Sequence, residues 1–584
     1  MAQQPDTDTF FLAKKKGLLG KLGKSISKDD PIVAPVLASN PFQPYAGKRI
    51  QSVKVVRLGF NRSFDDTTVI KTNFPIRVAN ALHKNTREEI IRNNLFFKAG
   101  DVLLPFMLSD NERFLRQQDY LQDALIEVKP SENSNRSVDV IVIVRDVFSL
   151  GGNLDISSEN EGRVELKEEN LAGKGNYVSL STYYDKSRDP KIGLGGEFLR
   201  RNIKGSFIDW RLGALNYSSA FNSGRRDEWN VYTILERPMF SRYTRFTGAA
   251  EFQINNSYNR YISDSLFNED FRYRYLQSDF WLGYNIGYKR ARLTDHFNRI
   301  RHFVSVRTFY NHFFKKPDKF DGVYNYQYAD LNGALMSYTL YRQNFYKTGF
   351  IYGFGRSEDI PEGLNISATG GWTNKSGKRR GYYGIGAEGS KFFSKGNYYS
   401  VILRAGTFRD HGHWVDTDIL LDIYHFSALR KMSAKWRHRN FVQVGIAKQI
   451  NPLLNTPLFL GSDFGLPDFT NSVFGNFRAT VKAESVFFNL RKFLGFRFAP
   501  FAFTGFTMLT PVDESFSKTN GFTALGGGIR TRNENLIFGT LELRGAYFPR
   551  TPGGMKPWEI SFSSNIRFKY NSTFIKKPDF IIAN

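Results

Sequence analysis

The segment WEISFSSNIRFKY, residues 558–570, alternates between two kinds of side chain. Apolar or aromatic residues stand at Trp558, Ile560, Phe562, Ile566, Phe568 and Tyr570. Polar or charged residues stand at Glu559, Ser561, Ser563, Asn565, Arg567 and Lys569. Because successive side chains of a β-strand point to opposite faces, this pattern predicts a strand with one apolar and one polar face.

The same alternation recurs through most of the chain. It is clear in FRATVKAES (477–485), TLELRGAY (540–547) and FVSVRTFY (303–310), and similar segments follow one another from Val147 to Tyr570. Turn residues separate them, and no helical pattern intervenes. A soluble propeller or a tandem of sandwiches is the alternative, but no blade-length repeat is visible. The pattern therefore predicts an all-β, antiparallel transmembrane barrel, in which every backbone group is paired within the sheet.

Composition limits the possibilities further. The chain has 584 residues, 16% of them aromatic, no cysteine and a formal net charge of +25. Its mean hydropathy is −0.40, and no run approaches the ~18–20 apolar residues of a membrane-spanning helix. The absence of cysteine excludes disulfides, thiolate metal sites and cysteine nucleophiles. The positive charge fits nucleic acid in a soluble protein, or lipopolysaccharide phosphates or an electropositive lumen in a barrel, so it does not decide between them.

Two regions precede the barrel-like part. Residues 1–48 are basic and then Pro-rich, which predicts a linker or, alternatively, a basic helix lying on a membrane surface. The start MAQQPD is typical of a mature end after removal of an export signal.

Residues 49–146 predict a small α+β domain with the element order β-α-α-β-β. Capping boxes at Thr86 with Glu89 and at Ser109 with Glu112 predict the starts of its two helices.

These features together resemble a known superfamily. FFKAGD (96–101), NERFLRQQDYLQDALIEV (111–128) and the strand at 138–145 are similar to a polypeptide-transport-associated (POTRA) domain. ELKEENLAGKGNYVSLSTYYD (165–185) is similar to the second and third barrel strands of BamA/TamA outer-membrane assembly factors and two-partner-secretion transporters. The resemblance covers roughly 49–571.

The resemblance implies a division of the chain and a strand number. It implies a POTRA-like domain at 49–146, a barrel at 147–571 and a C-terminal periplasmic tail at 572–584, with Phe568 or Tyr570 as the terminal aromatic. The family has sixteen strands, whereas about fifteen candidate segments precede the long loop and five follow it. Sixteen is the expected number, with up to twenty possible, since closure of a single-chain barrel needs an even count.

The long loop carries the family's most specific motif. In LFLGSDFGLPDFTNSVFGNFRATVKAESVFF (458–488), the tip that carries V-R-G-F/Y in the family aligns as Leu466-Pro467-Asp468-Phe469, directly after Gly465. The resemblance implies a lumen-inserted loop whose arginine pairs with acidic residues of the next two strands. Here proline replaces that arginine. The first acidic partner is kept as Glu484, and Phe503 replaces the second.

Loss of the arginine together with one partner predicts a replaced contact between loop and wall. Phe469 is expected to wedge into the lumen, with Phe503 as a candidate contact. The candidate partners of Glu484 on the lumen face are Arg478, Lys482, Arg530, Arg532 and Arg544. The alternative, in which these are ordinary solvated lumen charges, stays open.

Candidate catalytic groups are few. HGHWVDTD (411–418) contains two histidines and two aspartates, but alternating residues at a strand entrance are more often solvated than metal-bound. LGGGIR (525–530) lacks the Lys-Ser/Thr of a phosphate-binding loop, and its glycines are expected to relieve packing against the long loop. The sequence predicts no enzyme, no metal and no cofactor.

Three functions follow from these observations. The first is outer-membrane β-barrel insertion or polypeptide translocation across the bacterial outer membrane, with the POTRA-like domain in the periplasm. Its expected partners are nascent or unfolded polypeptides, outer-membrane lipids, lipopolysaccharide and accessory lipoproteins. The second is a pore or a scaffold for surface proteins that no longer assembles others. The third, a soluble nucleic-acid binder, ranks last, and no nucleic acid is expected.

Overall fold

The N-terminal part of the chain forms a small sheet with two helices. The computed structural model describes residues 40–58, 84–132, 134–158, 160–288, 299–351, 353–354, 358–393, 396–469, 473–491, 496–532, 540–552, 555–566 and 575–584. The elements of the N-terminal domain are β1 (Arg49–Leu58), α1 (Glu88–Asn93), α2 (Pro105–Arg116), β2 (Leu121–Ser131) and β3 (Ser134–Asp146). Most of the predicted linker at 1–48 lies outside the described residues.

β3 is the central strand of this domain. It pairs in parallel with β1 and antiparallel with β2, so the strand order is β1-β3-β2. One face of β3 is fully buried, and the core that it builds includes residues of both helices. Its members include Val138, Val140, Val142, Val144, Ile91, Met107, Leu108 and Leu115. This is a β-α-α-β-β arrangement, whereas its assignment as a POTRA domain stays a prediction.

Both predicted capping boxes are wrong. The residue before α1 is Arg87, which makes no side-chain cap, and the Thr86 hydroxyl instead donates to the Asp146 carboxylate at 2.8 Å. α2 begins at Pro105, four residues before the predicted cap Ser109. Proline suits the first turn of a helix because its fixed φ is helical and its missing N–H has no partner there anyway.

The remaining strands close into one antiparallel barrel. Twenty of them are long: β4 (Leu150–Ser158), β5 (Glu161–Leu171), β6 (Asn176–Asp185), β7 (Ile192–Arg200), β8 (Asp209–Ser218), β9 (Glu228–Arg237), β10 (Phe246–Ser257), β11 (Arg274–Ile286), β12 (Arg301–Lys315), β13 (Leu331–Thr348), β14 (Glu358–Lys375), β15 (Lys378–Phe392), β16 (Tyr398–Asp410), β17 (His413–Phe426), β19 (Trp436–Ile450), β21 (Phe474–Asn489), β22 (Arg497–Pro511), β23 (Asn520–Arg532), β24 (Thr540–Tyr547) and β25 (Trp558–Ile566). The two-residue strands β18 (Arg430–Lys431) and β20 (Leu458–Phe459) pair with β19 and β21.

The predicted number of about sixteen strands is wrong. Fifteen long strands precede the loop that follows β19, and five follow it. Every one of the fifteen pairs with its neighbours in the barrel wall. The number of alternating segments in the sequence therefore predicts the strand number better than the sixteen strands of the family do.

The two faces of the barrel wall differ as the alternation predicts. Leu166 and Leu180 are 65% and 69% exposed on the outside, whereas their neighbours Lys167 and Ser179 are buried inside. Val481 and Leu543 are likewise exposed on the outside, whereas Arg478, Thr480 and Glu542 are buried inside. A closed wall with an apolar outside and a polar inside is the arrangement that a lipid bilayer requires.

The barrel has two distinguishable ends. The N-terminal domain contacts the connections β5–β6, β7–β8 and β9–β10, and we call this end proximal. The long loop 451–473 and helix α3 (Asp264–Asp270) lie at the opposite, distal end. Among the described residues, every helix is too short or too polar to cross a bilayer.

The last ten residues lie inside the barrel. Phe580 packs against Phe309, Tyr382 and Phe408 on the lumen face, and Ala583 packs beside Leu458 of the long loop. This differs from the expected periplasmic tail at 572–584. The alternating pattern cannot show it, because the segment forms no strand.

Candidate functional site

The long distal loop folds into the lumen. Leu466 and Phe469 at its tip are 2% and 3% exposed, and they join a cluster with lumen-facing residues of β22, β23 and β24. The Phe469 ring contacts Phe522 and Phe548, with centroid distances of 5.9 and 4.8 Å. Phe503 borders the same cluster, although the ring contacts of Phe469 are with the other two aromatics.

Two glycines allow this close packing. A Cβ at Gly465 would lie 2.2 Å from the Leu460 carbonyl oxygen, within the tight turn of the loop itself. A Cβ at Gly505 of β22 would lie 2.5 Å from the Leu466 side chain. Both distances are shorter than a normal contact. The loop tip therefore fits against the wall because Gly465 and Gly505 have no side chain.

An ion pair joins the loop tip to the wall. Arg544 of β24 donates from Nη2 to the Asp468 Oδ2 at 2.7 Å, and both side chains are about one-fifth exposed. The Arg544 guanidinium also lies over the Phe503 ring, 3.7 Å from its centroid. The charge is thus negative on the loop and positive on the wall, the reverse of the arrangement that the resemblance implies.

Glu484 has its own partner. It accepts from Arg530 at 2.6 and 2.7 Å, and the Arg530 Nε donates to Glu542 at 2.6 Å. Arg530 also stacks on Phe501, 4.1 Å from the ring centroid. A bidentate guanidinium between two carboxylates is a strong, directional arrangement. Of the candidate partners named from the sequence, Arg530 is the one that binds Glu484.

The other predicted site residues lie elsewhere. Arg478 is buried in the lumen and contacts the C-terminal segment rather than the loop tip. Lys482 donates to the Asp463 carbonyl oxygen at 2.7 Å. Pro467 borders a cavity of about 460 Å³ between the loop tip and the Glu484–Arg530 pair. Phe568 and Tyr570 lie outside the described residues.

The three consecutive glycines of β23 do not face the loop as predicted. A Cβ at Gly526 would lie 2.5 Å from the Phe503 ring, and one at Gly528 would lie 2.9 Å from the Phe501 ring. Gly526 and Gly528 therefore make room for the two aromatic rings of β22 on which Arg544 and Arg530 stack.

A second segment folds inward at the proximal end, and no sequence pattern predicts it. Phe350, Ile351 and Phe354, between β13 and β14, are buried against aromatic residues of β15, β17 and β22. Glu358 accepts from the Ile351 and Gly353 amides at 2.9 and 2.8 Å, which fixes this turn. Together with the loop tip, the turn leaves the lumen obstructed at two levels.

The seam between the first and last barrel strands is short. Among the described residues, β25 pairs with β4 only at Phe562–Ile156 and Ser563–Asp155. A side-chain bond adds to it, because the Leu154 amide donates to the Ser564 hydroxyl at 2.5 Å. By contrast, β13 pairs with β14 over its full length of 18 residues. Within the described parts of β4 and β25, the seam is therefore held by far fewer backbone bonds than the β13–β14 pair.

The N-terminal domain is fixed to the proximal end by ion pairs. Arg242 of the β9–β10 connection binds Asp110 at 3.1 Å, and Arg116 binds Asp359 of β14 at 3.2 Å. Arg201 binds Asp119 at 3.3 Å. These contacts join one domain side chain to one barrel side chain each, so they hold the domain in a defined position.

Turn and aromatic contacts complete this interface. Asn170 near the end of β5 donates to the Thr86 hydroxyl at 3.0 Å, and the same hydroxyl donates to Asp146, so Thr86 serves this interface instead of capping a helix. Phe96 and Phe114 of the domain pack against Phe207 and Phe240 of the barrel turns, with centroid distances between 5.1 and 6.1 Å. The interface thus combines apolar packing with paired charges.

Burial affects two carboxylates of the domain differently. Burial raises the pKa of Asp110, but Arg242 and Arg113 outweigh it, so the pKa lies below its usual value. Burial raises the pKa of Asp146 to about 6, against the hydrogen bonds from Thr86 that lower it. Asp110 is therefore ionised at neutral pH, as its ion pair with Arg242 requires.

These features define a class of protein. A closed antiparallel barrel with an apolar exterior is typical of bacterial outer-membrane proteins, and the chain is a barrel of that kind. No protein-family model matches it, and no curated protein matches it either.

Similar solved structures exist. CdiB from Acinetobacter baumannii is 10% identical, with 89% of this chain and 74% of that chain covered and a TM-score of 0.41. CdiB from Escherichia coli is 11% identical, with coverages of 91% and 79% and a TM-score of 0.43. BamA from Haemophilus ducreyi lacking POTRA domains 1–3 is 9% identical, with coverages of 96% and 97% and a TM-score of 0.35.

Proposed function

We propose that the chain inserts or translocates polypeptide at the outer membrane and that it acts at the seam between β4 and β25. The observation that carries this proposal is the short pairing of the two strands within the described residues, at Asp155–Ser563 and Ile156–Phe562. An unpaired strand edge is costly in lipid, and an extended chain that pairs with it removes the cost. An incoming strand therefore forms the largest number of new backbone hydrogen bonds when it binds at the seam.

The resemblance of the motifs supplies the proposed orientation. The proximal end, with its N-terminal domain, faces the periplasm, and the distal loops face outward. The domain has two edge strands, β1 and β2, and such edges accept an extended polypeptide by strand addition. Unfolded outer-membrane or secreted polypeptides are the proposed clients. Lipids, lipopolysaccharide and accessory lipoproteins are the other proposed partners, and the activity needs no cofactor and no covalent chemistry.

The ion pairs near the loop tip stabilise the barrel wall beside the seam while the seam opens. Asp468 and Arg544 tie the loop tip to β24, the neighbour of the seam strand β25. The Glu484–Arg530–Glu542 group ties β21, β23 and β24 together. Both groups keep the wall beside the seam rigid, so opening is confined to the seam.

A disulfide across the seam tests the proposal. The chain has no cysteine, so Asp155→Cys with Ser563→Cys introduces one defined pair. The purified protein is reconstituted in lipid vesicles, and insertion of a urea-unfolded outer-membrane barrel is followed by its protection from protease. Oxidation is expected to lower the yield by about tenfold, equivalent to 1.4 kcal/mol, and reduction is expected to restore it.

A matched pair in the wall serves as the control. Ser337→Cys with Thr369→Cys replaces two hydroxyls that are 3.1 Å apart between β13 and β14. This lock should leave insertion unchanged. Equal insertion by the oxidised seam variant and the oxidised control would contradict the proposal.

A second candidate function is a scaffold or pore with the same architecture. The obstructed lumen favours the scaffold over an open pore, because the loop tip and the turn with Phe350 and Phe354 both occupy it. In the vesicle experiment this alternative predicts no insertion by the unmodified chain.

A further inference from the structure

Residues 575–584 cross the lumen as an extended segment without secondary structure. They begin beside Phe303 and Tyr341, near the proximal end, and finish beside Pro457 and Phe459 of the distal loop. The segment therefore runs upward through the barrel and meets the base of the loop whose tip carries Asp468.

Charged groups of the wall match charged groups of the segment. Lys577 Nζ lies 2.6 Å from Asp279 Oδ2, and Asp579 lies 2.5 Å from Arg307. Asp279 and Arg307 also bind each other at 2.8 Å. The four charges alternate in sign, and the two wall residues are almost fully buried, so each charge in this part of the lumen has an opposite neighbour.

Apolar pockets receive the next residues of the segment. The Phe580 ring meets Tyr382 edge-on at 4.9 Å and contacts Phe309 and Phe408 at 5.5 Å each. A Cβ at Gly406 would lie 2.9 Å from the Cβ of Ile581, so the wall is glycine where the segment passes closest. The lumen surface is shaped to the chain that lies on it.

Wall side chains also bind the backbone of the segment. The Ile581 amide donates to the Tyr382 hydroxyl at 2.7 Å, and Arg307 donates to the Pro578 carbonyl oxygen at 3.1 Å. Arg478 donates to the Ala583 carbonyl oxygen at 2.6 Å. Bonds to main-chain atoms recognise an extended polypeptide whatever its side chains.

Arg478 is the most informative of these residues. It is 1% exposed, and in the described part of the chain no carboxylate lies within ion-pair distance of it. Its guanidinium donates to the Phe459 carbonyl oxygen at 2.7 Å, to the Asn584 Oδ1 at 3.1 Å and to the Ala583 carbonyl oxygen. Two of these three acceptors belong to the C-terminal segment. A buried charge needs such partners, and the C-terminal segment provides two of the three acceptors that Arg478 has.

We propose that the lumen contains a binding site for an extended polypeptide and that residues 575–584 occupy this site in the resting protein. The ligand class is an extended segment with a basic residue two positions before an acidic one and an aromatic residue directly after it. Asp279, Arg307, Tyr382 and Arg478 provide the polar contacts. Another polypeptide enters the lumen by displacing the C-terminal segment. This site is independent of the seam and of the insertion activity proposed above.

Peptide binding to a truncated chain tests the site directly. The chain ending at residue 574 is purified in detergent and checked for its barrel by heat-dependent gel mobility. A fluorescent peptide, IKKPDFIIAN, is then titrated by anisotropy, with a scrambled peptide of the same composition as the control. The truncated chain should bind the native peptide about tenfold more tightly than the scrambled one, and the full chain should bind it about tenfold more weakly than the truncated chain does.

Variants of the wall assign the contacts. In the truncated chain, Arg478→Met and Asp279→Asn should each weaken binding of the native peptide, whereas Lys174→Ala on the β5–β6 turn should not. Equal affinity for the native and scrambled peptides in the folded truncated chain would overturn the proposal. So would equal binding by the full and truncated chains.

A crosslink keeps the proposal testable if the truncated chain does not fold. Gly406→Cys with Ile581→Cys in the full chain should form a disulfide under mild oxidation, because the two Cβ positions lie 2.9 Å apart. Gly406→Cys with Ile582→Cys is the control, since Ile582 is 58% exposed and lies on the other side of the segment. Failure of the first pair to crosslink, or equal crosslinking of both pairs, would show that the segment does not occupy this site.

Discussion

At the scale of single residues, an ion pair joins the loop tip to the wall, with charges opposite to those that the resemblance implies. Asp468 stands on the loop and Arg544 on the wall. Phe503 replaces the aspartate of the motif and provides a ring face on which the Arg544 guanidinium stacks. The differences from the motif at 467, 468 and 503 therefore belong to one contact, in which the loop is negative and the wall is positive.

The first prediction concerns this ion pair. Asp468→Arg and Arg544→Asp should each destabilise the barrel by about 1–3 kcal/mol, because each places like charges together in a partly buried site. The double exchange should recover at least about 1 kcal/mol of that loss, as measured by urea unfolding in lipid vesicles. Recovery is partial because an aspartate cannot stack on Phe503.

An exposed pair provides the control for this cycle. Lys315 and Asp318, whose side chains are 45% and 54% exposed, lie 3.1 Å apart at the distal end. Exchanging them should change the free energy of unfolding by less than about 0.5 kcal/mol. Strict additivity of the changes at 468 and 544 would mean that the two side chains do not interact.

The second prediction concerns the aromatic anchor of the loop. Phe469→Ala should cost about 3–5 kcal/mol, since the ring is enclosed by Phe522 and Phe548. The loosened loop should also raise ion conductance in planar bilayers. Phe516→Ala, at an exposed distal position, is the control and should change neither quantity. If Phe469→Ala destabilises the barrel but leaves the conductance unchanged, the Phe469 ring does not keep the lumen closed.

Much of this site could be predicted from sequence, but not its pairing. Alternation placed Glu484, Arg530 and Arg544 on the lumen face, and the motif located the loop tip. It could not choose among the candidate partners of Glu484, because the choice depends on the register of β21, β22 and β23. In that register Glu484 of β21 stands opposite Phe503, and Arg530 of β23 stands opposite Ala499. Arg530 therefore reaches Glu484 across β22, where it lies over the Phe501 ring.

At the scale of elements, β23 depends on its glycines. A Cβ at Gly526 would lie 2.2 Å from the Gly545 carbonyl oxygen as well as 2.5 Å from the Phe503 ring. The first of these neighbours is backbone and cannot rotate away. β23 is therefore matched to the two aromatic residues of β22 beside it.

The third prediction follows from this fit. Gly526→Ala should destabilise the barrel by about 1–3 kcal/mol, because β23 or β24 must move to admit the methyl group. Gly389→Ala in β15 is the control, since its nearest neighbour is a leucine methyl group at 3.9 Å. Thermal unfolding in the same detergent compares the two, and equal melting temperatures would contradict the packing described for Phe503.

The fourth prediction concerns the docked N-terminal domain. Because the pKa of Asp110 is lower in the folded protein than its ordinary value, its ion pair with Arg242 stabilises docking above about pH 4 and is lost as the pH falls through the lowered pKa. Asp110→Asn should therefore loosen the domain at neutral pH, and the difference from the unmodified chain should vanish at low pH. The rate of limited proteolysis between the domain and β4 measures how loosely the domain is docked in each protein.

A control variant separates the interface from the fold of the domain. Asp139→Asn, on an exposed part of β3 away from the barrel, should leave the proteolysis rate unchanged at every pH. A rate that is the same for Asp110→Asn and the unmodified chain at neutral pH would show that this ion pair does not hold the domain.

Element order was more predictable from sequence than element ends or number. The order β-α-α-β-β is visible in the pattern, whereas both helix starts were misplaced because Pro105 begins α2 and the Thr86 side chain serves an interface. The sixteen strands that the resemblance implies are too few, whereas about fifteen candidate segments before the loop agree with the fifteen long strands found there. Tertiary contacts, which local patterns do not contain, explain the misplaced ends.

At the scale of the whole molecule, three inward segments occupy the lumen. The loop tip lies against β22–β24, the turn with Phe350 and Phe354 lies at the proximal end, and residues 575–584 lie against β11–β21. None of them belongs to the regular wall, and the last two carry no alternating pattern. The strands of the wall are thus predictable from their alternation and the lumen-inserted loop from its motif, whereas the positions of the other two segments follow only from tertiary contacts.

The fifth prediction tests the central claim that the chain is a closed membrane barrel. The protein is extracted from membranes, mixed with SDS and run on a gel with and without boiling. Because all wall strands from β4 to β25 are paired within the chain, the unheated protein should stay folded and migrate at a different position from the boiled protein. Extraction should require detergent. One position for both samples, together with full release of the protein by salt buffer alone, would contradict the barrel.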